Sequence, residues 1–512
     1  MLIKVFGSAV FGVEATTITV EVDINKGIGY HLVGLPDNAI KESNYRIAAA
    51  LQNNSYKIPG KKITINMAPA DLRKEGSAYD LTLAMGILAA SNQIKLKHSV
   101  EDYLIMGELS LDGSVQPITG ALPIAIKARQ EGVKGFILPI ANAKEAAIVN
   151  DLEVYGVSNI TEVIEFFEGT TTLQPTIINT REQFYKNLDF PEFDFADVKG
   201  QESIKRCMEI AAAGGHNIIL IGPPGSGKTM LAKRLPSILP PMTLHEALET
   251  TKIHSVVGKV KDIGLLSQRP FRAPHHTISD VALVGGGTYP QPGEISLSHN
   301  GVLFLDELPE FKRSVLEVMR QPLEDREVTI SRAKFTVTYP SSFMLVASMN
   351  PSPGGYFNDP DAPVSSSPAE MQRYLGKISG PLLDRIDIHI EVTPVPFEKL
   401  SSTDKAESSV AIRERVMKAR ELQTQRFEEL PNIHYNAQMN TKQIRAYCAL
   451  DDASLDLLKN AMQRLNLSAR AYDRILKVAR TIADLDTSEA VLGHHISEAI
   501  QYRSLDRDGW LG

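Results

Sequence analysis

The stretch IGPPGSGKT, residues 221–229, decides the fold of the middle of this 512-residue chain. It continues the apolar run NIILIG, residues 217–222, and matches the phosphate-binding loop pattern G-x-x-x-x-G-K-[ST] between a buried strand and a helix. Glycines let backbone N–H groups approach phosphates, and the N-terminus of the following helix favours negative charge. The pattern predicts an ATP site in which Lys228 reaches the β- and γ-phosphates and Thr229 binds Mg²⁺. The loop residues expected to contact the nucleotide are Gly222, Pro223, Pro224, Gly225, Ser226 and Gly227.

Two further apolar runs end in polar residues. VLFLDE, residues 302–307, ends in Asp306 and Glu307, and FMLVASMN, residues 343–350, ends in Asn350. Close to a phosphate loop, Asp306 is expected to hold Mg²⁺, and Glu307 to polarise the water that attacks the γ-phosphate. Asn350 would orient that water. The alternatives are a strand edge for the two acids and a turn before Pro351 for the asparagine.

Strand-like and helix-like runs divide the chain into three folded parts and a linker, in line with about three domains for this length. Residues 1–170 alternate strands such as TITVEVDI with helices such as SAYDLTLAMGILAAS, which predicts an α/β domain. The pattern weakens over residues 171–195, the expected linker. Residues 196–395 contain buried strands separated by helix-length segments, as in a mostly parallel sheet. Residues 396–512 are predicted to be helical and to form a C-terminal lid.

Composition excludes several classes of protein. Hydrophobic residues make up 43% and charged residues 22% of the chain, as in globular proteins with sizeable cores. The two cysteines, Cys207 and Cys448, lie far apart, which excludes a disulfide framework and suits a reducing cytoplasm. No apolar run approaches about 18 residues, so no membrane span is expected. The net charge of −7 argues against a basic DNA-coating protein and leaves room for a local basic surface.

Three longer stretches resemble the AAA+ ATPases of the magnesium-chelatase-like branch, and within it the YifB/ComM family. They are RPFRAPHHTISDVALVGGG, QPGEISLSHNGVLFLDELPEF and GPLLDRIDIHIEV. The resemblance covers nearly the whole chain and implies a ring, usually a homo-hexamer, with ATP at the subunit interfaces. It also implies that Arg385 is the finger arginine that reaches a neighbour's γ-phosphate, and that Arg470 is the lid arginine called sensor 2. The alternatives are an ion pair of Arg385 with Asp384 or Asp387, and a solvated helix charge for Arg470.

The same branch has a β-hairpin just before the strand that ends in the sensor asparagine. Here REVTISRAKFTVTYP, residues 326–340, places Arg332 and Lys334 near the tip of such a hairpin. In related replicative helicases the equivalent hairpin contacts DNA in the ring channel, and basic side chains suit sequence-independent phosphate contacts. The alternative is a pair of solvated surface cations.

Taken together, the resemblance implies an ATP-driven DNA translocase. The likeness to the ComM side of the family points to branch migration of recombination intermediates during DNA uptake. The second hypothesis is a chelatase-type or chaperone-like remodeller that acts on a protein client. The third is a scaffold whose assembly is set by nucleotide and for which turnover is incidental.

Residues 1–170 resemble the proteolytic domain of the Lon family, without its catalytic pair. Against the Lon serine segment, RKEGSAYDLTLA places Ala78 at the nucleophile position and Ser77 one residue early. Against the lysine segment, QPITGALPIAIKA places Leu122 at the lysine position and Lys127 five residues later. A Ser–Lys pair needs the amine within hydrogen-bond reach of the hydroxyl. The sequence therefore predicts a domain for assembly or substrate engagement and not a protease.

Metal-ligand residue types give no zinc site. Many YifB/ComM relatives carry four cysteines after the sensor strand, where this chain has Ser352, Gly354, Val364 and Ser366. The pairs His275 with His276 and His494 with His495 are expected to have structural or hydrogen-bonding roles, because adjacent side chains on a strand or helix point in different directions.

Overall fold

The computed structural model describes residues 2–186, 193–260, 264–287, 290–332, 335–354, 367–395, 406–430, 433–465 and 467–503. The chain forms two compact units. The first unit consists of Met1–Leu188 and Thr243–Ser267, and the second of Asp189–Met242 and Gln268–Gly512. The length had led us to expect about three domains.

The strands and helices are numbered here in chain order. The strands are β1 Leu2–Phe11, β2 Glu14–Asn25, β3 Gly29–Val33, β4 Lys62–Ala68, β5 Tyr103–Ile105, β6 Glu108–Leu109, β7 Val115–Gln116, β8 Gly135–Pro139, β9 Glu153–Val157, β10 Ile218–Ile221, β11 Phe271–Arg272, β12 Gly285–Gly286, β13 Gln291–Pro292, β14 Val302–Leu305, β15 Glu327–Arg332, β16 Phe335–Pro340, β17 Met344–Met349 and β18 Ile388–Glu391. The helices are α1 Asn38–Asn53, α2 Asp80–Ala90, α3 Ala121–Gln130, α4 Ile140–Ala146, α5 Ile160–Glu168, α6 Thr180–Lys186, α7 Glu202–Gly214, α8 Lys228–Arg234, α9 Leu244–Val256, α10 Asp280–Val284, α11 Glu294–Leu297, α12 Arg313–Glu317, α13 Arg320–Asp325, α14 Pro368–Leu375, α15 Gly380–Leu383, α16 Ser409–Arg426, α17 Thr441–Tyr447, α18 Asp452–Arg464, α19 Ala469–Leu485 and α20 Gly493–Gln501.

The first unit is built on a seven-stranded mixed sheet with the order β3-β4-β2-β1-β5-β8-β9. Strand β2 runs antiparallel to both β1 and β4, and the other neighbours are parallel. The alternation in TITVEVDI buries Ile18, Val20, Val22 and Ile24, as expected of a strand with one face on the core. Helix α2 packs against β1 and β2, and all of its residues are buried. The α/β prediction for this part of the chain agrees with the structure.

Part of the segment predicted as a linker is folded. Helix α6 belongs to the first unit, where Thr180 donates through Oγ1 to the carbonyl oxygen of Ile148 at 3.0 Å. Phe184, on the same helix, is buried. The expected boundary at residue 171 therefore falls inside the first unit, because a single buried phenylalanine and one hydroxyl contact leave little periodic signal.

Helix α9 also belongs to the first unit, although the sequence placed it in the ATPase core of residues 196–395. It packs against α3, and the N–H of Gly120 donates to the carbonyl oxygen of Ser255 at 3.0 Å. The hydroxyl of Ser255 donates to the buried carboxylate of Glu145. The buried face of α9 includes Thr250, Thr251 and Ser255, so its apolar pattern is weak and does not indicate which core it joins.

The second unit is built on a five-stranded sheet with the order β11-β14-β17-β10-β18, and all of its pairs are parallel. Strands β10, β14 and β17 are buried along their whole length, as in a sheet covered on both faces. The predicted parallel sheet is therefore confirmed. Its carboxyl ends bring the phosphate loop, the two acids and Asn350 to one edge.

The C-terminal residues are helical within the described ranges, as predicted. Helices α16 to α20 share one hydrophobic core with the sheet: Ile475 and Ile482 of α19 belong to the same cluster as Val346 of β17 and Ile388 of β18. This shared core explains why they do not form a third unit. None of the helices in the described ranges is long and apolar enough to cross a membrane.

Strands β15 and β16 pair antiparallel, as expected of the predicted hairpin, and Arg332 pairs with Phe335. The neighbouring two-stranded ribbon of β12 and β13 contacts it, since Tyr339 donates to the carbonyl oxygen of Pro290 at 2.7 Å. Lys334, at the predicted tip, lies outside the described residues.

Candidate active site

The phosphate loop lies between β10 and α8, as the sequence predicted. Gly227 has φ +91°, in the left-handed region that favours glycine, and immediately precedes α8. A Cβ at Gly222 would overlap the carbonyl oxygen of Val392 and lie 2.9 Å from Ser226 Oγ. The hydroxyl of Ser226 is buried and has no hydrogen-bond partner among the described residues. This loop therefore combines close backbone packing with an unpaired donor, which fits an oxyanion such as phosphate.

Lys228 lies at the mouth of this loop. Its ammonium group donates to the carbonyl oxygens of Gly222 at 2.7 Å and Pro223 at 2.9 Å, and to Oδ1 of Asn350 at 3.2 Å. Burial lowers the pKa of Lys228, while the nearby charges of Asp306 and Glu307 oppose that shift. The structure thus brings together Lys228 and Asn350, two residues that the sequence placed in the same site.

Asp306 follows β14 and contacts the phosphate loop directly. Thr229 donates through Oγ1 to Oδ2 of Asp306 at 2.7 Å. A hydroxyl and a carboxylate oxygen are hard oxygen ligands of the kind that Mg²⁺ prefers, so this pair fits the predicted metal site.

Ser348 joins the two acidic residues, and our sequence reasoning missed it. Its hydroxyl donates to Oδ1 of Asp306 and accepts from the N–H of Glu307 at 3.2 Å. Ser348 is fully buried on β17, beside β14. The signal was present as a single serine inside the apolar run LVASM, but only the strand register shows which residues it faces.

Glu307 has a backbone fixed in an uncommon conformation. Its φ is +55°, and its N–H also donates to Oδ1 of Asp306 at 3.1 Å. Its carboxylate Oε2 lies 3.4 Å from Nδ1 of His276. His276 follows β11, and its ring meets the ring of Phe311 edge-on, with 6.4 Å between centroids. The sequence had given His276 only a structural or hydrogen-bonding role.

Arg385 and Arg470 line a cavity of about 210 Å³, together with Asp384 and Glu324. Arg385 is nearly buried and donates to Glu324 and to the carbonyl oxygen of Pro381. Its in-chain partner is thus Glu324 at the end of α13, and not Asp384 or Asp387 as the alternative interpretation expected. Asp384 instead pairs with Arg470 at 2.8 Å.

Asp387 is committed to a different contact. It is buried between His216, whose Nδ1 lies 2.9 Å from Oδ2, and Arg474, whose Nη1 lies 3.0 Å from Oδ1. The positive charge of Arg474 holds the pKa of Asp387 well below its usual range against the effect of burial. An ion pair of Asp387 with Arg385 would have to replace these partners.

Arg332 is exposed on the hairpin, at the last residue of β15. Its guanidinium lies over Gly286, where an added Cβ would come within 3.0 Å of Nη2. The absence of a side chain at Gly286 leaves room for this arrangement. Of the two cations that the sequence proposed as DNA contacts, Arg332 alone lies among the described residues.

The two residues nearest to a Lon-type pair are each bonded to a carboxylate. The hydroxyl of Ser77 donates to Glu108. The ammonium group of Lys127 lies 3.1 Å from Glu131, at the end of the same helix α3. The N–H of Leu122, at the lysine position, donates to Glu145 at 3.0 Å. Ser77 and Lys127 thus contact different carboxylates, and no hydrogen bond between the two side chains is found among the described residues.

Three residues elsewhere resemble a metal site, and one of them, His495, is held by a backbone hydrogen bond. Asp486, His494 and His495 lie close enough for their ligand atoms to share an ion. The N–H of Leu492 donates to Nδ1 of His495 at 2.9 Å, so the proton of a neutral imidazole is on Nε2, which lies 3.4 Å from Asp486. A protonated nitrogen does not bind a metal. Of the four positions compared above with cysteines of relatives, Ser352 and Gly354 are described, and Val364 and Ser366 lie outside the described residues.

Comparison with known proteins decides the family. Three family models match: "Magnesium chelatase, subunit ChlI" over residues 194–400, "Subunit ChlI of Mg-chelatase" over residues 20–142, and "Magnesium chelatase, subunit ChlI C-terminal" over residues 406–503. The chain is 45% identical over 505 residues to competence protein ComM of Haemophilus influenzae, which covers 98% of this chain and 97% of that relative. The chain belongs to the YifB/ComM family of magnesium-chelatase-like proteins.

Two further relatives match, one along nearly the whole chain and one along about a third of it. Protein YifB of Escherichia coli is 44% identical over 504 residues, with 98% of this chain and 96% of that relative covered. Peroxisomal Lon protease homolog 2 of Arabidopsis thaliana is 29% identical over 183 residues, with 32% of this chain and 19% of that relative covered. The second likeness is weak and concerns the N-terminal part.

Proposed function

We propose that this protein is a ring-forming ATPase, most simply a homo-hexamer, that translocates DNA and migrates branches in recombination intermediates during natural transformation. Membership in the magnesium-chelatase-like AAA+ family supports ATPase chemistry. The competence protein of Haemophilus influenzae supports the link to DNA uptake. The observation that carries the ATPase part is the contact of Thr229 with Asp306, beside Lys228, at the carboxyl edge of the parallel sheet.

The described residues suit Mg²⁺-bound ATP. The loop N–H groups and Ser226 would bind phosphate oxygens, Lys228 would contact the β- and γ-phosphates, and Thr229 with Asp306 would hold Mg²⁺. Bound there, Mg²⁺ would neutralise charge on the phosphates. Glu307 would accept the proton of the attacking water, and Asn350 would orient that water.

The two arginines complete the proposed site in the assembled ring. Arg385 would leave Glu324 to contact the γ-phosphate of a neighbouring subunit. Arg470, which is exposed, would act from the C-terminal helices of its own subunit, which then serve as a lid. Nucleotide binding between subunits would in this way be coupled to the positions of the hairpins.

The hairpin would contact DNA through Arg332 and Lys334. Phosphate contacts need no base sequence, and they weaken as salt rises because bound counterions are released. The first unit would serve assembly or substrate engagement without proteolysis, in keeping with the carboxylate contacts of Ser77 and Lys127.

The deciding experiment measures ATP turnover of the full chain with no DNA, single strands, a fork and a four-way junction, at about 50 and about 200 mM salt. We expect branched DNA to stimulate turnover, and Arg332→Ala to lose that stimulation while keeping basal turnover. Lys418→Ala, which removes an exposed cation from α16, is the matched control and should behave like the wild type. Equal turnover with and without every DNA at both salts contradicts translocation.

A protein remodeller is the second candidate, and the net charge of −7 leaves room for it. Glu307→Gln should bind ATP, hydrolyse it much more slowly than the wild type and so retain its substrate. Capture of branched DNA by this variant favours the translocase. Capture of a specific protein client without DNA, together with stimulation of the wild-type turnover by that client, favours the remodeller.

A further inference from the structure

The carboxylate of Glu307 has a neighbour that the proposed mechanism does not use. Its backbone is fixed by the bonds of its N–H to Ser348 and Asp306, so only the side-chain torsions are left to be set. The Glu307 side chain is 55% exposed, so the surrounding protein does not confine it. His276 Nδ1, 3.4 Å from Oε2, is a group that lies close enough to direct it.

His276 is itself held in place from two sides. Its ring lies 4.1 Å from the ring of His275, centroid to centroid, and meets Phe311 edge-on. Phe311 is buried and comes four residues after Glu307, so it belongs to the segment that carries the acid. His275 is in turn fixed by a contact of 3.0 Å between its Nδ1 and Oγ1 of Thr277.

We propose that His276 is a positioning residue for Glu307: it directs the carboxylate so that one oxygen accepts the imidazole N–H and the other faces the attacking water. This inference rests on the proposed ATPase function. At 3.4 Å the contact is longer than a strong charged hydrogen bond of about 2.8 Å, so it orients the carboxylate more than it neutralises it. A general base must keep an oxygen free within reach of its proton donor.

Two substitutions separate orientation from packing. His276→Phe keeps a flat ring against Phe311 and removes the N–H. His276→Gln keeps a donor of comparable reach and loses the ring. We expect kcat to fall about tenfold or more in His276→Phe, with KM and the equilibrium affinity for Mg-ATP changed less than about twofold, because a misplaced base slows chemistry and not binding. His276→Gln should recover kcat to within about threefold of the wild type.

A double-variant cycle with Glu307→Gln shows whether the effect passes through Glu307. Single-turnover hydrolysis by Glu307→Gln should change less than about twofold when His276→Phe is added, since the residue that His276 positions is already lost. Wild-type kcat in His276→Phe, an undiminished effect in the Glu307→Gln background, or failure of His276→Gln to recover would each overturn the proposal. If His276→Phe unfolds, His276→Leu takes its place with the same expectations.

Failure here is distinct from failure of the proposed function. The wild type would still hydrolyse ATP and respond to branched DNA, and only the role of His276 would be withdrawn. Absence of ATP hydrolysis by the wild type would instead remove the proposed function itself.

Discussion

A single buried hydroxyl group connects the two acidic residues of this site, and Ser348 gives the first prediction. Ser348→Ala removes a donor to Asp306 and an acceptor for the N–H of Glu307. We expect kcat for ATP to fall about tenfold, because both acids lose a fixed orientation, while the affinity for ATP changes little. Steady-state turnover and nucleotide titration measure the two quantities.

The control for Ser348→Ala is Ser341→Ala. Ser341 is also fully buried, and its hydroxyl has no hydrogen-bond partner among the described residues. Loss of this hydroxyl should leave kcat unchanged. If the two variants have the same kcat, the bridge between the acids does not contribute to hydrolysis.

Two glycines of the phosphate loop give the second prediction. Gly222→Ala would place its Cβ against the carbonyl oxygen of Val392, so the loop must shift, and we expect the affinity for ATP to fall at least about tenfold. Gly225→Ala meets no heavy atom within 4 Å and has only the cost of its positive φ, about 1–2 kcal/mol. Its affinity should fall less. Equilibrium titration with Mg-ATP compares them, and the reverse order would show that the loop is not the nucleotide site in this conformation.

The residues of the phosphate loop were predictable because their pattern is contiguous in the sequence. Lys228 and Thr229 act through the turn of which they are part, so eight neighbouring letters define them. Ser348 and His276 were not predictable in the same way. One depends on the pairing of β14 with β17, and the other on where a connecting segment after β11 returns to the sheet edge.

At the level of elements, α9 gives the third prediction. Ser255→Ala removes the hydroxyl that binds Glu145 and leaves that buried carboxylate with fewer donors. We expect faster hydrogen–deuterium exchange in α9, because the helix separates more easily from α3. Mass spectrometry of peptides covering residues 244–256 measures this. His245→Ala, an exposed change on the same helix, should leave exchange outside its first turn unchanged, and an equally protected α9 in Ser255→Ala would contradict the prediction.

Strands were easier to predict than the partners of helices. β2 alternates and β10, β14 and β17 are continuous apolar runs, so both their existence and their type of sheet follow from the pattern. Helix α9 buries threonines and a serine, and no periodicity indicates which of two cores receives such a face.

At the level of the whole second unit, pH gives the fourth prediction. His216 is fully buried, and burial lowers its pKa despite the neighbouring Asp387. In the unfolded chain the pKa of histidine is about 6.5, so below this pH the unfolded chain binds a proton that the folded chain binds less well. The stability of the unit should therefore be fully present above about pH 6.5 and fall as the pH decreases below it.

Two measurements at about pH 7.5, 6.5 and 5.5 test this: the free energy of unfolding in urea and the amide exchange of α19. Nε2 of His216 lies 2.8 Å from Oγ1 of Thr481 on α19, so the exchange of this helix is sensitive to protonation of His216. His216→Gln, which does not titrate, should depend less on pH over this range. Parallel curves for wild type and variant would assign the acid sensitivity to other groups.

The two-unit organisation itself was only partly predictable. The sequence identified a leading α/β part and a parallel-sheet part, but it assigned the C-terminal helices to a separate part. They join the sheet through a common core, with Ile475 and Val346 in one cluster. Apolar helix faces predict burial without naming the surface that buries them.

Thr243–Ser267 belongs to the first unit, and this limits which parts of the gene can be exchanged by recombination. The chain passes between units after residues 188, 242 and 267, so neither unit is one uninterrupted stretch. A recombination event that replaced only residues 1–188 with those of a distant relative would leave α9 packed against an α3 of different sequence. The two units should therefore diverge together as one gene, and natural chimeras with a single crossover after residue 188 should be rare.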